Sequence, residues 1–242
     1  MLKKIQVSTI YESGILFATD DPDMALELKR TGEAVLYVCE DIENAPFIDG
    51  IKYITDDIDG CDENFLRMAY SRQKKLPFQV AETERTVIRE ITVEDLPELY
   101  QVYDDDEVRK FMEPLYDYDK EKIYTENYIA NMYEVCGYGL WLVFDKATGK
   151  LAGRAGISVR QIDGEYYNEL GYVIRKEFRR KGYAYEACKA ILEYASENLH
   201  IYNPVIVTEC ANTASKGLAN KLGFRELGTT FMNEKEYAIY QI

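Results

Sequence analysis

The stretch that constrains this chain most is residues 167–187, YNELGYVIRKEFRRKGYAYEA, because two different periods meet inside it. Residues 168–174 mix apolar and β-prone side chains over the length of a strand. From Tyr183 to Leu199, by contrast, Ala184, Ala187, Cys188, Ile191, Leu192 and Ala195 recur at helical spacing. The period changes at Lys181-Gly182, so the stretch reads as a strand, a basic loop and the opening of a helix. Arg175, Lys176, Arg179, Arg180 and Lys181 put five cations within seven positions of a chain whose formal charge is -14. Such a loop attracts a polyanion. Glycine lets the backbone come close, and the N–H groups at a helix start point outward with the positive end of its dipole. A pyrophosphate would fit there.

With Arg179, Gly182 and Ala184 in place, the loop resembles the coenzyme A signature of the GNAT N-acetyltransferase superfamily, Arg/Gln-x-x-Gly-x-Gly/Ala. The segment NTASKGLANKLGF, residues 212–224, resembles that family's closing motif, Asn-x-x-Ser-x-x-Leu-x-x-Lys-x-Gly-Phe. Together the two motifs are most similar to the branch containing the ribosomal-protein N-terminal acetyltransferases, of RimJ/RimL type, and the likeness covers roughly residues 83–242. The resemblance implies a GNAT fold for that half: a mixed, mostly antiparallel sheet flanked by helices. It also implies acetyl-CoA as co-substrate and a primary amine, on a protein N-terminus or a small molecule, as acceptor. An alternative is a catalytically silent acyl-CoA-binding or sensing module.

At 242 residues the chain is long enough for one large domain or two small ones. No run approaches the ~18 apolar residues of a membrane span, and the N-terminus lacks the apolar centre of a signal peptide. These features predict a cytoplasmic protein without a membrane partner. The cysteines, Cys39, Cys61, Cys136, Cys188 and Cys210, are odd in number and form no CxxC pair, and the only histidine is His200, so neither a disulfide framework nor a metal site is expected. Acidity is spread over both halves, -6 in residues 1–80 and -8 in the remainder, which disfavours a nucleic-acid partner and suits a cationic acceptor. Solubility alone also accounts for that charge.

Residues 14–19, 34–39 and 52–55 read as short strands, and the patterns ending at Gly32 and Lys75 as helices, an order that predicts a small parallel α/β domain over residues 1–80. Its stretch IKYITDDID faintly resembles part of a haloacid-dehalogenase-type fold. That family's paired-aspartate nucleophile motif is missing, and Asp20, Asp21 and Asp23 read as a solvated helix start. Residues 74–85 look like a linker. Strands are then expected at 86–91, 140–145, 151–160, 204–210, 224–229 and 237–240, with helices through Leu96 to Tyr103, over 120–135 and from Asn212 to Leu222. The tyrosines at 103, 116, 118, 124, 128 and 133 lie where the family covers its acceptor, although an amphipathic packing face explains each of them singly.

Acetyl transfer to an amine needs a held donor, a neutral amine and stabilisation of the developing oxyanion. By resemblance, backbone groups of Tyr172, Val173 and Ile174 pair with the pantetheine arm, and amides of Arg179, Arg180, Lys181, Gly182, Tyr183 and Ala184 hold the pyrophosphate. The Val173 N–H is the expected oxyanion donor. The resemblance further implies that Asn212 contacts the donor arm and that Ser215 helps the thiolate leave, while both are also ordinary residues for a helix cap and first turn. The family often places a tyrosine four residues after this serine as general acid. That position is Ala219 here, which leaves the acid unassigned among Ser215, water and a tyrosine from elsewhere. Glu169, before Gly171 on the central strand, is the candidate base, with a surface ion pair as the competing role and Glu165 as a weaker substitute.

Overall fold

The computed structural model describes residues 1–242, which divide into two compact units, Met1–Gln79 and Val80–Ile242.

In the first unit, strands β1 (Leu2–Ser8), β2 (Ser13–Thr19), β3 (Ala34–Val38) and β4 (Ile54–Thr55) form one sheet in that order, with helices α1 (Pro22–Arg30) and α2 (Glu63–Gln73). The three parallel strands β2, β3 and β4 match the sequence pattern. Strand β1 adds an antiparallel edge, from Leu2↔Thr19 to Ser8↔Ser13. Its pattern, LKKIQVS, buries little besides Val7, so it carries almost no hydrophobic signal. Strand β3 is buried on both faces: Ala34 and Leu36 join Ala69 and Tyr70 of α2, while Val35 and Tyr37 join Ala25 of α1 and Ile48. A strand covered on both sides reads as an unbroken apolar run, as AVLYV does. Asp21 caps α1, accepting from the N–H groups of Asp23 and Met24 at 3.0 and 3.2 Å, so the aspartate cluster does open a helix. Gly14 is required by packing: a Cβ there would sit 1.9 Å from the Tyr70 hydroxyl, which donates to Glu12 at 2.6 Å.

An eight-stranded sheet organises the second unit, in the order β11-β12-β10-β9-β8-β7-β6-β5. Its members are β5 (Gln79–Glu82), β6 (Thr86–Arg89), β7 (Leu140–Asp145), β8 (Leu151–Ile162), β9 (Glu165–Ile174), β10 (Val205–Glu209), β11 (Arg225–Met232) and β12 (Lys235–Gln241). Strand β5 lies inside the stretch expected as linker; only four residues long, it is too short to show a period. One face carries α6 (Tyr183–Asn198) and α7 (Thr213–Lys221), with Trp141 of β7 packed edge-on against Tyr194 at 5.6 Å. The other face carries α3 (Leu96–Tyr103), α4 (Asp106–Arg109) and α5 (Tyr118–Tyr128), and α5 runs on as a π-helix over Ile129–Cys136. The helix expected over 120–135 is thus an α-helix followed by a π-helix, whose i→i+5 bonding leaves no separate mark in the apolar pattern. Thr92 and Asp95 form a capping box ahead of α3, and Pro97 lies in its first turn, where a missing N–H costs nothing.

Candidate functional site

All neighbouring strands in the larger sheet whose pairing is described run antiparallel except β9 and β10, and that parallel pair is held by a single register match, Val205↔Glu169. At Glu169 the two strands touch. Beyond it β9 continues against β8 as far as Gly153↔Ile174, while β10 stays with β12 from Val205↔Gln241 to Glu209↔Tyr237. The sheet therefore splits into a wedge at its centre, and one edge of residues 170–174 is left without a strand partner.

Hydrogen-bond phase decides which peptide groups face the wedge. Arg175 N–H donates to Ala152 O at 2.8 Å, one step past the Gly153↔Ile174 pair. Peptide groups alternate in direction along a strand, so the N–H of Val173, two residues back, also points at β8, where Val173 lies opposite Arg154. The N–H groups of Tyr172 and Ile174 point into the wedge. The Val173 N–H, expected as the oxyanion donor, is therefore turned away from the wedge, because the sequence shows the strand but not its phase.

The loop after β9 ends at the start of α6. Gly182 is the N-cap, at φ 88° and ψ -3°, and no side chain caps the helix. Arg180 also has positive φ, 58°. Left-handed residues two apart turn successive N–H groups towards one side, and the first N–H groups of a helix have no partner within it. The result is an uncapped concave run of amides from Arg180 to Ala184, with a lysine and an arginine side chain exposed beside it. The side chains of Arg179 and Tyr183 look elsewhere. Arg179 binds Asp105 at 2.7 Å and the Ile174 carbonyl at 2.8 Å. Tyr183 donates to Asp145 at 2.6 Å, under the Arg85 guanidinium at 4.6 Å. The Tyr183 hydroxyl is thus turned away from the loop, and Arg179 keeps only its Nη2 without a partner.

A partly covered carboxylate, without a local sequence signal, braces this loop. Glu186 accepts from Thr83 Oγ1 at 2.5 Å and from Arg85 at its N–H (2.9 Å) and Nε (2.7 Å), and Arg85 Nη1 donates in turn to the Lys181 carbonyl at 2.8 Å. Burial opposes charge on Glu186, but these donors outweigh it and hold its carboxyl below the ordinary glutamate range. Asp105 is likewise held low: burial works against it, and Arg179 with two backbone N–H groups prevails. No local pattern could have revealed either partner, since Arg85 and Glu186 are 101 residues apart.

Glu169 lies where the wedge opens. Its side chain is 12 % exposed and pairs with Arg160 Nη1 at 3.2 Å. Burial raises its pKa, and the opposing pull of Arg160 and of the Val207 N–H does not restore it. The ion pair expected as the competing role is present, on Arg160 at the surface end of the pair (34 % exposed), while the carboxylate itself is mostly covered. Glu165, by contrast, is exposed at the β8–β9 turn. Beside Glu169 on the same face, Gly171 has open space above it, its absent Cβ meeting only Leu140 Cδ2 at 3.5 Å. At the far end of that face Arg154 is buried over the Tyr128 ring, 5.2 Å away.

On the opposite face, Asn212 caps α7 by accepting from Ser215 N–H at 3.1 Å. The Ser215 hydroxyl lies 2.8 Å from the hydroxyl of Tyr172, which reaches across from β9. Tyr172, Ser215 and Asn212 are thus joined on one face of the sheet, Glu169 lies on the other where β10 meets β9, and the amide run ends the same strand. Of the aromatic residues expected over the acceptor, Tyr133 is buried, its hydroxyl on the Leu140 carbonyl at 2.6 Å, whereas Tyr116, Tyr118 and Tyr124 are exposed.

A wedge between two parallel strands, followed by an uncapped helix start, fits a long donor arm ending in a pyrophosphate. The chain matches the family model described as "Acetyltransferase (GNAT) domain" over residues 85–225. It belongs to the GNAT acetyltransferases. The uncharacterized protein YkkB of Bacillus subtilis is 31 % identical over 125 residues, covering 50 % of this chain and 73 % of YkkB. Among solved structures, a ribosomal-protein-S5-alanine acetyltransferase from Vibrio fischeri superposes with a TM-score of 0.57 at 15 % identity, over 67 % of this chain and 94 % of that one. RimL, a ribosomal L7/L12 alpha-N-protein acetyltransferase in complex with coenzyme A, gives 0.56 at 14 % identity, over 68 % and 97 %. At such identities the two structures show a shared fold. As a GNAT acetyltransferase the chain uses acetyl-CoA, and none of its helices is long and apolar enough to cross a membrane.

Proposed function

We propose that Val80–Ile242 transfers the acetyl group of acetyl-CoA to a primary amine, on a protein N-terminus or a small molecule, by direct attack. The single observation that carries this reading is the wedge after Val205↔Glu169, which opens one edge of β9 next to a buried carboxylate.

The coenzyme supplies an activated thioester. Tyr172 and Ile174 hold its pantetheine arm through their wedge-facing peptide groups, in the manner of an added strand. Amides from Arg180 to Ala184 bind the pyrophosphate, with Gly182 allowing close approach and the α6 dipole favouring the negative charge. Arg180 and Lys181 add charge from solvent; Arg179 positions the loop by holding Asp105 and the Ile174 carbonyl. Asn212 fixes the first turn of α7, which places Ser215 at the wedge.

Glu169 takes the proton of the attacking amine, directly or through a water. Its raised pKa brings its basicity nearer to the working pH than that of an exposed glutamate. The Tyr172 N–H faces the oxygen that becomes negative as the amine attacks, a donor already aligned before reaction. Ser215 donates a hydrogen bond to the departing sulfur.

Calorimetric titration with acetyl-CoA tests the donor site. Saturable binding, lost in Gly182→Glu, is the expected result, and normal affinity in that variant would overturn the pyrophosphate assignment. Thiol release measured against a panel of peptides and small amines then identifies the acceptor. Tight coenzyme binding with no acceptor-dependent thiol release from any amine class would favour a silent coenzyme-binding module.

A further inference from the structure

Ala219 stands where many relatives of this fold carry an acidic tyrosine, and its side chain is fully buried. A tyrosine nevertheless reaches the same turn of α7, from the opposite side. Tyr172 projects from β9 towards α6 and α7, and its hydroxyl meets Ser215 twice, at 2.8 Å to Oγ and 3.2 Å to the carbonyl oxygen. We propose that Tyr172 is a positioning residue for Ser215: its phenol donates to Oγ and so turns the serine's own proton outward, to the sulfur that leaves.

At 2.8 Å either hydroxyl can donate, and the surroundings of Oγ favour the phenol as donor. A serine in the first turn of a helix can turn its proton back to the carbonyl four residues earlier, or to any nearby acceptor, and is then useless as an outward donor. The Ser215 carbonyl already lies in the helical ladder of α7, whereas Oγ has lone pairs to spare, and the shorter contact is to Oγ. Asn212 pins the Ser215 N–H, so the residue is held at both backbone and side chain. Burial raises the pKa of Tyr172 and of the facing Cys188, so both keep their protons through the working range and neither accepts the serine's as an anion. Tyr172 thereby serves two ends of one reaction. Its N–H faces the developing oxyanion, and its hydroxyl, through Ser215, faces the leaving group.

The step balances without any change of protonation at either hydroxyl. The C–N bond forms as the C–S bond breaks, the C–S electron pair goes to sulfur, and the amine proton goes to Glu169 and on to water. The thiolate, stabilised by the Ser215 O–H, takes its proton from water afterwards. A chain of two hydrogen bonds ending on an anion strengthens along its length.

This inference rests on the role given to Ser215 above, and a measurement free of turnover separates the two. Bound coenzyme A, with its free thiol, is titrated by the ultraviolet absorbance of its thiolate. In the native protein the thiol should ionise at lower pH than in free coenzyme A. Ser215→Ala should move it back by about one pH unit, tenfold in the ionisation constant. Tyr172→Phe, which keeps the ring and its packing, should recover roughly threefold to tenfold of the same shift, the size of one hydrogen bond. The double variant should match Ser215→Ala. In turnover, Tyr172→Phe should lower kcat and leave the KM for acetyl-CoA unchanged. An unshifted thiol in Tyr172→Phe, with a shifted one in Ser215→Ala, would overturn the positioning role alone. An unshifted thiol in Ser215→Ala would overturn the Ser215 assignment together with it. Additive effects in the double variant would likewise refute the coupling. Loss of one buried hydrogen bond leaves the protein folded, which the thermal midpoint and coenzyme affinity of each variant check.

Discussion

Glu186→Gln isolates the brace behind the coenzyme loop. The native carboxylate uses one oxygen for Thr83 Oγ1 and the Arg85 N–H, and the other for Arg85 Nε and Nη2, the last at 2.5 Å. Glutamine keeps an oxygen for the first pair but presents an amide N–H₂ to a guanidinium, so the second pair is lost. Arg85 is 39 % exposed, and an ion pair screened by that much water is worth under ~1 kcal/mol. Removing the charge from the remaining two bonds costs roughly another 1 kcal/mol, the difference between charged and neutral acceptors. The sum, about 2 kcal/mol, corresponds to a fall in Tm of about 4–8 °C for a unit of this size. The sign with pH follows from the lowered carboxyl: its stabilisation is complete above the ordinary glutamate range and disappears as pH falls through the native value. The gap between native and variant midpoints should therefore be full at neutral pH and close in acid. Arg85, released, also loses its hold on the Lys181 carbonyl, so acetyl-CoA affinity should drop in parallel. A midpoint unchanged to within about 1 °C at neutral pH, or a gap that widens in acid, would refute the reasoning.

Glu169→Gln should lower kcat/KM by about 10² to 10⁴ while leaving acetyl-CoA affinity intact, and equal turnover would remove Glu169 as the base. Because burial raises this carboxyl and Arg160 pulls it down, the acid limb of the native kcat/KM profile should lie above the ordinary glutamate range, and Arg160→Met should move it higher still; a downward move counts against the assignment. Gly182→Glu places a Cβ about where Arg85 Nη2 approaches, 3.1 Å away, at a φ that costs an ordinary residue ~1–2 kcal/mol, and adds an anion to the anion site. Calorimetry should find no measurable coenzyme binding. A chain beginning at Pro77, ahead of β5, should bind acetyl-CoA as the full chain does, and failure to do so would place part of the donor site in residues 1–76.

The periods of the sequence were enough to determine most of the larger unit's elements. The strand before the basic loop, the helix after it, the turn at Gly149 and the Asn212 cap each depend on neighbours within a few residues, and local steric and hydrogen-bonding preferences act at that range. The role proposed for the loop rests on the same short range, since a glycine at a helix start with cations before it suits an anion. The elements that were missed, β1 and β5, bury too little or run too briefly to leave a period. Three matters were decided only by tertiary structure. The wedge exists because β10 follows β12 rather than β9, a choice between partners far apart in the chain. Which peptide groups face it depends on hydrogen-bond phase, which composition cannot show, and this is why the Tyr172 N–H, and not that of Val173, turns to the wedge. The partners of the site's side chains, Arg85 with Glu186, Arg179 with Asp105 and Tyr172 with Ser215, come from separate elements, and only packing of the sheet's two faces brings them within hydrogen-bond distance.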